Sequence, residues 1–281
     1  MCGVTPLEGM VRGHNGAIIR YLETVPAAPS TEAPVVILHG TLNTGRDWLD
    51  VAARITERTG RRVVAPHRRG RATSADFGPD YDLMVEVADL CALLDRTGPG
   101  TVLVGHSYGA VVSLLASTAR TDLGALALYE PPLPLDRPVT GRALHRIRRA
   151  LDRGDLDTAL STIHLDVLGD SAHTLAQLRT LPSWSESLTL TGSSAVELAA
   201  LDELTGFDLA PYATLTVPTT VIQGARSDRP PFGTPARAVA SVIPGAELVV
   251  LPGHGHVANF TAPRELADLL VAAIDAAPAF R

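Results

Sequence analysis

The sequence predicts an α/β fold, with a mostly parallel sheet, helices on both faces of that sheet, and an inserted helical cap. Short continuous apolar runs, such as residues 35–38, alternate with amphipathic segments. Such runs are typical of strands that are buried on both faces of a parallel sheet. Polar residues follow several of these runs directly, at the sheet edge where reactive groups gather in such folds. From residue 133 to about residue 213 the strand pattern gives way to helical segments.

Before the insertion, the sequence predicts an edge hairpin and then strands that alternate with helices. A loose alternation over residues 16–23 follows a His-Asn-Gly turn signal, which predicts an antiparallel hairpin at a sheet edge. Apolar runs predict strands at 35–38, 62–66, 101–104 and 123–129, and apolar periodicity predicts helices at 48–58, at 81–95 and from 108 to about 119. Strands that alternate with helices in this way predict parallel pairing.

Helices are predicted in the insertion, and strands and helices alternate in the remainder of the chain. Helices are predicted in the insertion at 141–153, 156–168, 172–181 and 195–204. After it, strands at 217–224 and 247–251 are each followed by a helix, at 234–243 and 263–276. We therefore expect a core domain formed by residues 1–132 and 214–281, with residues 133–213 folded as a helical cap subdomain.

Composition and charge exclude several classes of function. The net charge is −6, and all 24 basic residues are arginines, which cluster at 61–62, 68–71 and 142–149. We interpret these clusters as solvated helix faces and loop ends, so no nucleic-acid partner is expected. Cys2 and Cys91 are the two cysteines, and they indicate neither a disulfide framework nor a metal site. No cofactor is expected.

The sequence pattern predicts no targeting segment. The first six residues lack a basic segment followed by an apolar run, so no signal peptide is expected. No stretch of about 18 apolar residues occurs, so no membrane span is expected either. The prediction is a cytoplasmic protein, a monomer or homodimer, without membrane partners.

One motif, Gly105-His106-Ser107-Tyr108-Gly109, carries the strongest chemical signal. An apolar run precedes it and a helical segment follows, which is the setting of a nucleophile elbow. Side chains two residues before and after the serine would collide with the neighbouring strand and helix, and the two glycines remove them. This context favours a nucleophilic Ser107 over a glycine-rich turn in which the serine only caps a helix.

A serine hydroxyl needs a base, and the base needs an acid to orient it. The main base candidates are His39, His106, His254 and His256, and His67 is a more distant fifth. His106 adjoins the serine and is expected to point away from it, and His39 is expected to support its own loop. His254 and His256 follow the last predicted strand, which is the late position required by the order serine, acid, histidine.

With these residues the chain resembles the α/β-hydrolase fold family over nearly its whole length. Four motifs carry the resemblance: His39-Gly40, the elbow, Gly253-His254-Gly255-His256, and Pro263 seven positions beyond His256. The resemblance implies that His256 is the base. It also implies that the backbone N–H groups of Thr41 and Tyr108 form the oxyanion hole.

The loop after the second parallel strand departs from the family pattern. Residues 67–74 begin with His67, where the family usually has Asp, and they lack the second glycine that the family has near the end of the loop. A position near the rim of the active site is expected for His67. We interpret it as a residue that braces its loop rather than one that contacts substrate.

Two carboxylates compete for the role of the acid. The family usually places Asp three residues after a glycine that ends the penultimate strand; that position is Ser227, and Asp228 comes one residue later between two arginines. Glu130 closes an apolar strand, where a carboxylate is costly to bury unless it is paired. Its Tyr-Glu-Pro-Pro segment is similar to the haloalkane dehalogenase branch and to a group of small bacterial hydrolases. Glu130 is favoured, with Asp228 as the rival acid and a surface ion pair as the simpler role for Asp228.

A serine at the elbow excludes the branches of the family that need an aspartate nucleophile there. Acyl transfer to water remains. Apolar cap residues such as Ile147, Leu160 and Trp184 would suit a pocket for an apolar acyl group, and some of these residues are expected only to pack the cap helices together. The first hypothesis is a serine carboxylesterase or thioesterase that acts on a small or medium apolar substrate. The alternatives are a C–C bond hydrolase, a cyclase or lactonase of secondary metabolism, or a ligand-binding relative without activity.

Overall fold

The computed structural model describes residues 6–181, 183–228 and 230–275. Within them, the strands form one sheet in the order β1-β2-β4-β3-β5-β6-β7-β8. The strands are β1 (Leu7–Arg12), β2 (Ile18–Thr24), β3 (Val35–Leu38), β4 (Val63–Pro66), β5 (Val102–His106), β6 (Ala125–Tyr129), β7 (Thr219–Gly224) and β8 (Glu247–Leu251). β2 pairs antiparallel with both β1 and β4, and the other pairs are parallel. The mostly parallel sheet and the edge hairpin are confirmed.

Apart from α9, which was not predicted, the described helices lie where the apolar periodicity predicts them, with differences at their ends. They are α1 (Leu49–Thr59), α2 (Leu83–Thr97), α3 (Tyr108–Ser117), α4 (Ala143–Asp152), α5 (Leu156–Thr162), α6 (Ala172–Leu178), α7 (Ser183–Asp202), α8 (Gly233–Val242), α9 (Ala258–Thr261) and α10 (Pro263–Asp275). The segment predicted as one helix over 156–168 is α5 continued by a π-helical turn, Ile163–Leu168. α7 begins twelve residues before the predicted start at 195.

The chain divides into two compact units. Unit one comprises residues 1–40, 44–132 and 208–281, and unit two comprises residues 41–43 and 133–207. Successive side chains of a strand lie on opposite faces of the sheet. The sheet of unit one therefore buries apolar residues on both sides. Ile37 and Val104 share one core with Ile55 of α1 and Leu270 of α10. α2 and α3 pack against each other, and α3 packs on β5.

Unit two is helical and has an apolar interior of its own. Ile147, Ile163 and Leu198, from α4, the π-helical turn and α7, lie together in this interior. Leu160 is also fully buried. Both Ile147 and Leu160 are candidates for a pocket wall in the sequence analysis. The structure packs Ile147 in the helical interior, which is the common result of an apolar stripe on a helix. Trp184 is only partly buried.

The interpretation of the 68–71 arginine cluster as a solvated surface is wrong. Arg68, Arg69 and Arg71 are all buried. Two carboxylates on α2 pair with the first two: Glu86 with Arg68 and Asp89 with Arg69. Burial of arginine requires such partners, and Glu86 and Asp89 lie three residues apart on one helical face.

Two further sequence observations concern cysteines and membranes. Cys91 carries a free thiol on α2, and Cys2 lies outside the described residues. Among the residues that the structure describes, none of the helices combines the length and the apolar character that a bilayer crossing needs.

Candidate active site

Ser107 lies at the sharp turn between β5 and α3, with backbone φ of 54° and ψ of −125°. This left-handed conformation is strained for a residue with a side chain. A Cβ atom on Gly105 would lie 2.6 Å from the Cα of Ala110, and one on Gly109 would lie 2.3 Å from the backbone oxygen of Leu38. The flanking glycines are therefore required by the close approach of strand and helix, as the elbow pattern predicts.

The structure brings three of the predicted site residues into one hydrogen-bonded chain. His256 Nε2 lies 3.0 Å from Ser107 Oγ, and His256 Nδ1 lies 2.6 Å from Glu130 Oε2. A carboxylate can only accept, so Nδ1 carries the proton and donates it to Glu130. In the neutral imidazole Nε2 then accepts from the serine hydroxyl. This is the arrangement in which a base can take the serine proton during attack.

Glu130 is fully buried directly after β6, at a backbone φ of 50°. Its second carboxylate oxygen, Oε1, accepts a hydrogen bond of 2.7 Å from the backbone N–H of Gly224 at the end of β7. Asp228 is exposed, and its backbone oxygen accepts from Arg237 Nη2 at 2.9 Å. The structure thus places Glu130 against the imidazole and leaves the rival carboxylate of Asp228 at the surface.

The loop that carries His256 is fastened to the ends of β5 and β6. His106 Nε2 donates to the backbone oxygen of His256 at 2.9 Å. The Tyr129 hydroxyl donates to the backbone oxygen of Gly255 and accepts from the N–H of Ala258 at 3.3 Å. Burial, and after it the nearby His256, hold the pKa of His106 well below its ordinary value. Burial and the adjacent Glu130 raise the pKa of Tyr129, so both side chains stay neutral donors at pH 7.

An aromatic ring covers one face of the imidazole. The rings of Phe232 and His256 are stacked, with centroids 3.7 Å apart and an interplanar angle of 18°. Phe232 is buried and lies in the segment between β7 and α8. A phenyl face favours a cation, and an imidazolium is a cation. The segment after β7 therefore contributes an aromatic face to the ring of His256, whereas the carboxylate that contacts this ring comes from the end of β6.

The remaining histidines at strand ends support their loops. His39 Nδ1 donates to the backbone oxygen of Gly40 at 2.8 Å, and its Nε2 accepts from the backbone N–H of Arg68 at 3.3 Å. Burial, followed by the charges of Arg68 and Arg71, holds the pKa of His39 well below its ordinary value. His67 Nδ1 accepts from the N–H of Gly45 at 3.3 Å. Burial, followed by Arg46, lowers its pKa.

The two predicted oxyanion donors belong to different units. Tyr108 is the first residue of α3, where backbone N–H groups point out of the helix and the dipole favours negative charge. Thr41 belongs to unit two, where its hydroxyl donates to Glu197 Oε2 at 2.5 Å. Their roles as donors to an oxyanion stay predictions.

No group of metal-ligating side chains is present in the part of the chain that the structure describes. The described site brings a serine, a histidine and a glutamate into one hydrogen-bonded chain beside a helix N-terminus. Covalent acyl transfer requires groups of these types in this arrangement.

A family comparison agrees with this geometry. The model of the alpha/beta hydrolase family matches residues 35–269, which run from β3 to α10. The chain belongs to the alpha/beta hydrolase family. The match covers the elbow, Glu130 and the loop of His256, so the whole hydrogen-bonded chain lies within the matched region of this hydrolase.

Individual relatives carry hydrolase names. Lipase LipV of Mycobacterium tuberculosis is 36% identical over 110 residues, which are 38% of this chain and 41% of LipV. RutD of Klebsiella pneumoniae, whose name gives carbamate hydrolysis as a provisional activity, is 28% identical over 243 residues, 84% of this chain and 90% of RutD. The solved structure of an alpha/beta hydrolase from Sphaerobacter thermophilus superposes with a TM-score of 0.79 at 28% identity, over 94% of this chain and 99% of that one.

The hydrolase also has site features that the sequence reasoning did not identify. The N–H of Gly224 and the ring of Phe232 contact Glu130 and His256 directly, and Tyr129 holds the base loop. The sequence identifies Gly224 only as the glycine that precedes the usual acid position. A hydrogen bond from a backbone N–H cannot be predicted from residue type. The Tyr-Glu-Pro-Pro segment contained the signal for Tyr129, since its hydroxyl ends an otherwise apolar strand.

Proposed function

We propose that this hydrolase cleaves an ester or thioester of a small to medium apolar acyl substrate through a serine acyl-enzyme. The observation that carries the proposal is the continuous hydrogen-bonded chain from Ser107 Oγ through His256 to Glu130 Oε2. The lipase and hydrolase names among the relatives support the reaction class. No cofactor takes part in the proposed reaction, and its partner is a small molecule.

In the first half of the proposed reaction, Ser107 Oγ attacks the acyl carbon and His256 takes the serine proton at Nε2. Glu130 keeps the imidazole in the required tautomer and stabilises the imidazolium that forms. The backbone N–H groups of Tyr108 and Thr41 stabilise the negative charge on the carbonyl oxygen. His256 then returns the proton to the leaving alcohol or thiol, and the acyl group stays on the serine.

In the second half, water attacks the acyl-enzyme. His256 takes a proton from this water, and the carboxylic acid leaves as the serine recovers its proton. The apolar character of the acyl group rests on the apolar residues in the sequence of the helical insertion, among them Leu165, Trp184 and Leu188.

The test combines covalent labelling with turnover. A fluorophosphonate probe is expected to modify wild-type protein at Ser107, identified by peptide mass, and Ser107→Ala is expected to lose both labelling and hydrolysis of chromogenic esters. Its thermal melting should match or exceed that of the wild type. A panel of esters and thioesters of increasing acyl length then measures the substrate range. Wild-type protein that never labels, or a Ser107→Ala variant that still turns over ester, rules the proposal out.

A further inference from the structure

A buried ion pair lies beside the nucleophile without being part of the hydrogen-bonded chain of Ser107. The guanidinium of Arg68, with 2% of its side chain exposed, pairs with Glu86 of α2. Nη1 donates to both carboxylate oxygens, at 3.0 Å and 2.8 Å. A buried ion pair is weak evidence for stability, because desolvation offsets much of its attraction. The other hydrogen bonds of the Arg68 guanidinium therefore indicate what this ion pair contributes.

The same guanidinium holds two backbone carbonyls in the loop after β3. Nε donates to the oxygen of His39 at 2.9 Å, and Nη2 donates to the oxygen of Gly40 at 3.0 Å. The Gly40 oxygen also accepts from the His39 ring, so two donors fix the direction of this carbonyl. In a trans peptide the N–H of the following residue points opposite to the carbonyl. Fixing the Gly40 oxygen therefore fixes the direction of the Thr41 N–H.

The Gly40 backbone lies directly against the nucleophile. A Cβ atom on Gly40 would lie 2.7 Å from the Cβ of Ser107 and 3.1 Å from Nδ1 of His106. A peptide whose orientation Arg68 sets is therefore adjacent to the residue that is proposed to attack substrate.

The ion pair also reaches the elbow. The guanidinium carbon of Arg68 lies 4.7 Å from the ring centroid of Tyr108. Tyr81 donates its hydroxyl hydrogen to Glu86 Oε1 at 2.5 Å, and its oxygen lies 2.8 Å from the hydroxyl oxygen of Tyr108. Tyr108 follows the nucleophile, and its N–H is one of the two predicted oxyanion donors. One ion pair thus contacts both segments that carry those donors.

We propose that Arg68 and Glu86 are positioning residues that fix the two oxyanion donors, the N–H groups of Thr41 and Tyr108, in their catalytic orientation. The proposal rests on the proposed acyl-transfer function. Lysine in place of Arg68 keeps the charge but lacks the planar fork that contacts Glu86 and two carbonyls together. It is therefore the variant that separates orientation from charge.

The neighbouring ion pair provides a matched control. Arg69 donates from Nε to Asp89 Oδ2 at 2.5 Å and from Nη2 to Asp89 Oδ1 at 3.0 Å. It is buried like Arg68 and uses a partner on the same helix, but its other donors bind the backbone oxygens of His14 and Asp76. Because both pairs are buried, we expect their disruption to destabilise the fold to a similar extent. Arg68 is the arginine that contacts Gly40 and Tyr108.

The experiment compares Arg68→Lys with Arg69→Lys. Removal of one oxyanion donor lowers kcat by about two to three orders of magnitude in a characterised protease. We therefore expect kcat for a chromogenic ester to fall about 100-fold in Arg68→Lys, with KM little changed. Binding of a trifluoromethyl ketone, which forms a tetrahedral oxyanion adduct with serine, should weaken in parallel. Arg69→Lys should lower the melting temperature to a similar extent and leave kcat within about threefold.

Tyr81→Phe is a second variant that serves if Arg68→Lys does not fold. It removes the hydroxyl that links Glu86 to Tyr108, and kcat should fall about tenfold with a melting temperature within a few degrees of wild type. Equal kcat losses in the two lysine variants, or unchanged ketone affinity in Arg68→Lys or in Tyr81→Phe, overturn the inference alone. Wild-type protein that neither labels at Ser107 nor hydrolyses ester overturns the proposed function, and the inference with it.

Discussion

The ends of β6 and β7 lie side by side in the sheet, and a carboxylate follows each of them within a few residues. These two carboxylates, Glu130 and Asp228, differ in burial and in their contacts. Glu130 comes directly after β6, is fully buried, and contacts His256 and the N–H of Gly224. Asp228 comes four residues after β7 and is exposed. The segment after β7 instead stacks Phe232 on the imidazole.

For Glu130 as the proposed acid, the backbone setting matters as much as the residue type. A carboxylate that comes directly after a strand has its direction set by the sheet, and a backbone N–H of the neighbouring strand is near enough to bind its second oxygen. Asp228 has a chemically equivalent carboxylate without this setting. Removing each contribution in turn tests the comparison.

The largest effect is expected from the acid itself. Glu130→Gln keeps the shape of the side chain but lets the ring take the wrong tautomer, and kcat should fall by about four orders of magnitude, as in proteases that lose the triad carboxylate. Asp228→Asn is the matched control and should leave kcat within about twofold, as exposed charges away from a site usually do. Steady-state kinetics on one chromogenic ester measures both. A larger loss in Asp228→Asn would reassign the acid.

A smaller effect is expected from the backbone donor. A Cβ atom on Gly224 would lie 2.7 Å from Gly255 Cα and 3.0 Å from Glu130 Oε1. Gly224→Ala should therefore push the acid and the base loop apart, and kcat should fall about 100-fold, since a displacement of about 1 Å can cost that much. Gly192→Ala is the control. Apart from the neighbouring residues and the backbone of the same helix, no atom lies within 4 Å of a Cβ atom at position 192. Unchanged kcat in Gly224→Ala would show that the close approach of this backbone to Glu130 and Gly255 is not required for activity.

The smallest effect is expected from the stacked ring. Phe232→Leu keeps an apolar side chain but removes the aromatic face, whose stacking is worth about 0.5–1.5 kcal/mol. We expect kcat to fall about three- to tenfold with KM unchanged, and Phe232→Trp to retain most of the activity because it restores an aromatic face. If leucine and tryptophan behave alike, the ring acts as filler and not as a partner of the imidazolium.

Much of the fold could be predicted, because strands that are buried on both faces have a distinct apolar signature. The start of α7 could not. Its first twelve residues, Ser183–Ser194, are rich in Ser and Thr and contain Gly192, all weak helix formers. Packing of Ala195 and Leu198 in the interior of unit two comes from the later turns. Tertiary contacts there extend the helix beyond its local preference.

The candidate site was predictable where chemistry and chain order coincide, as for Ser107 and His256. The buried arginines were not, because a cluster of charges in one loop is usually solvated. The signal lay elsewhere in the chain: Glu86 and Asp89 lie on α2 among its buried apolar residues. Carboxylates on a buried helical face require cationic partners. The arginine cluster and these two carboxylates together predict ion pairs between the 68–71 loop and α2.

The left-handed backbone at Ser107 and Glu130 has a consequence for the evolution and engineering of this protein. Both residues have a positive backbone φ, at 54° and 50°, a conformation that costs roughly 1–3 kcal/mol at a non-glycine residue. Glycine would relieve that cost at either position and remove the reacting group or its acid. Selection for thermal stability alone would therefore favour substitutions at these two positions that abolish turnover. In this protein robustness and catalysis compete at single residues.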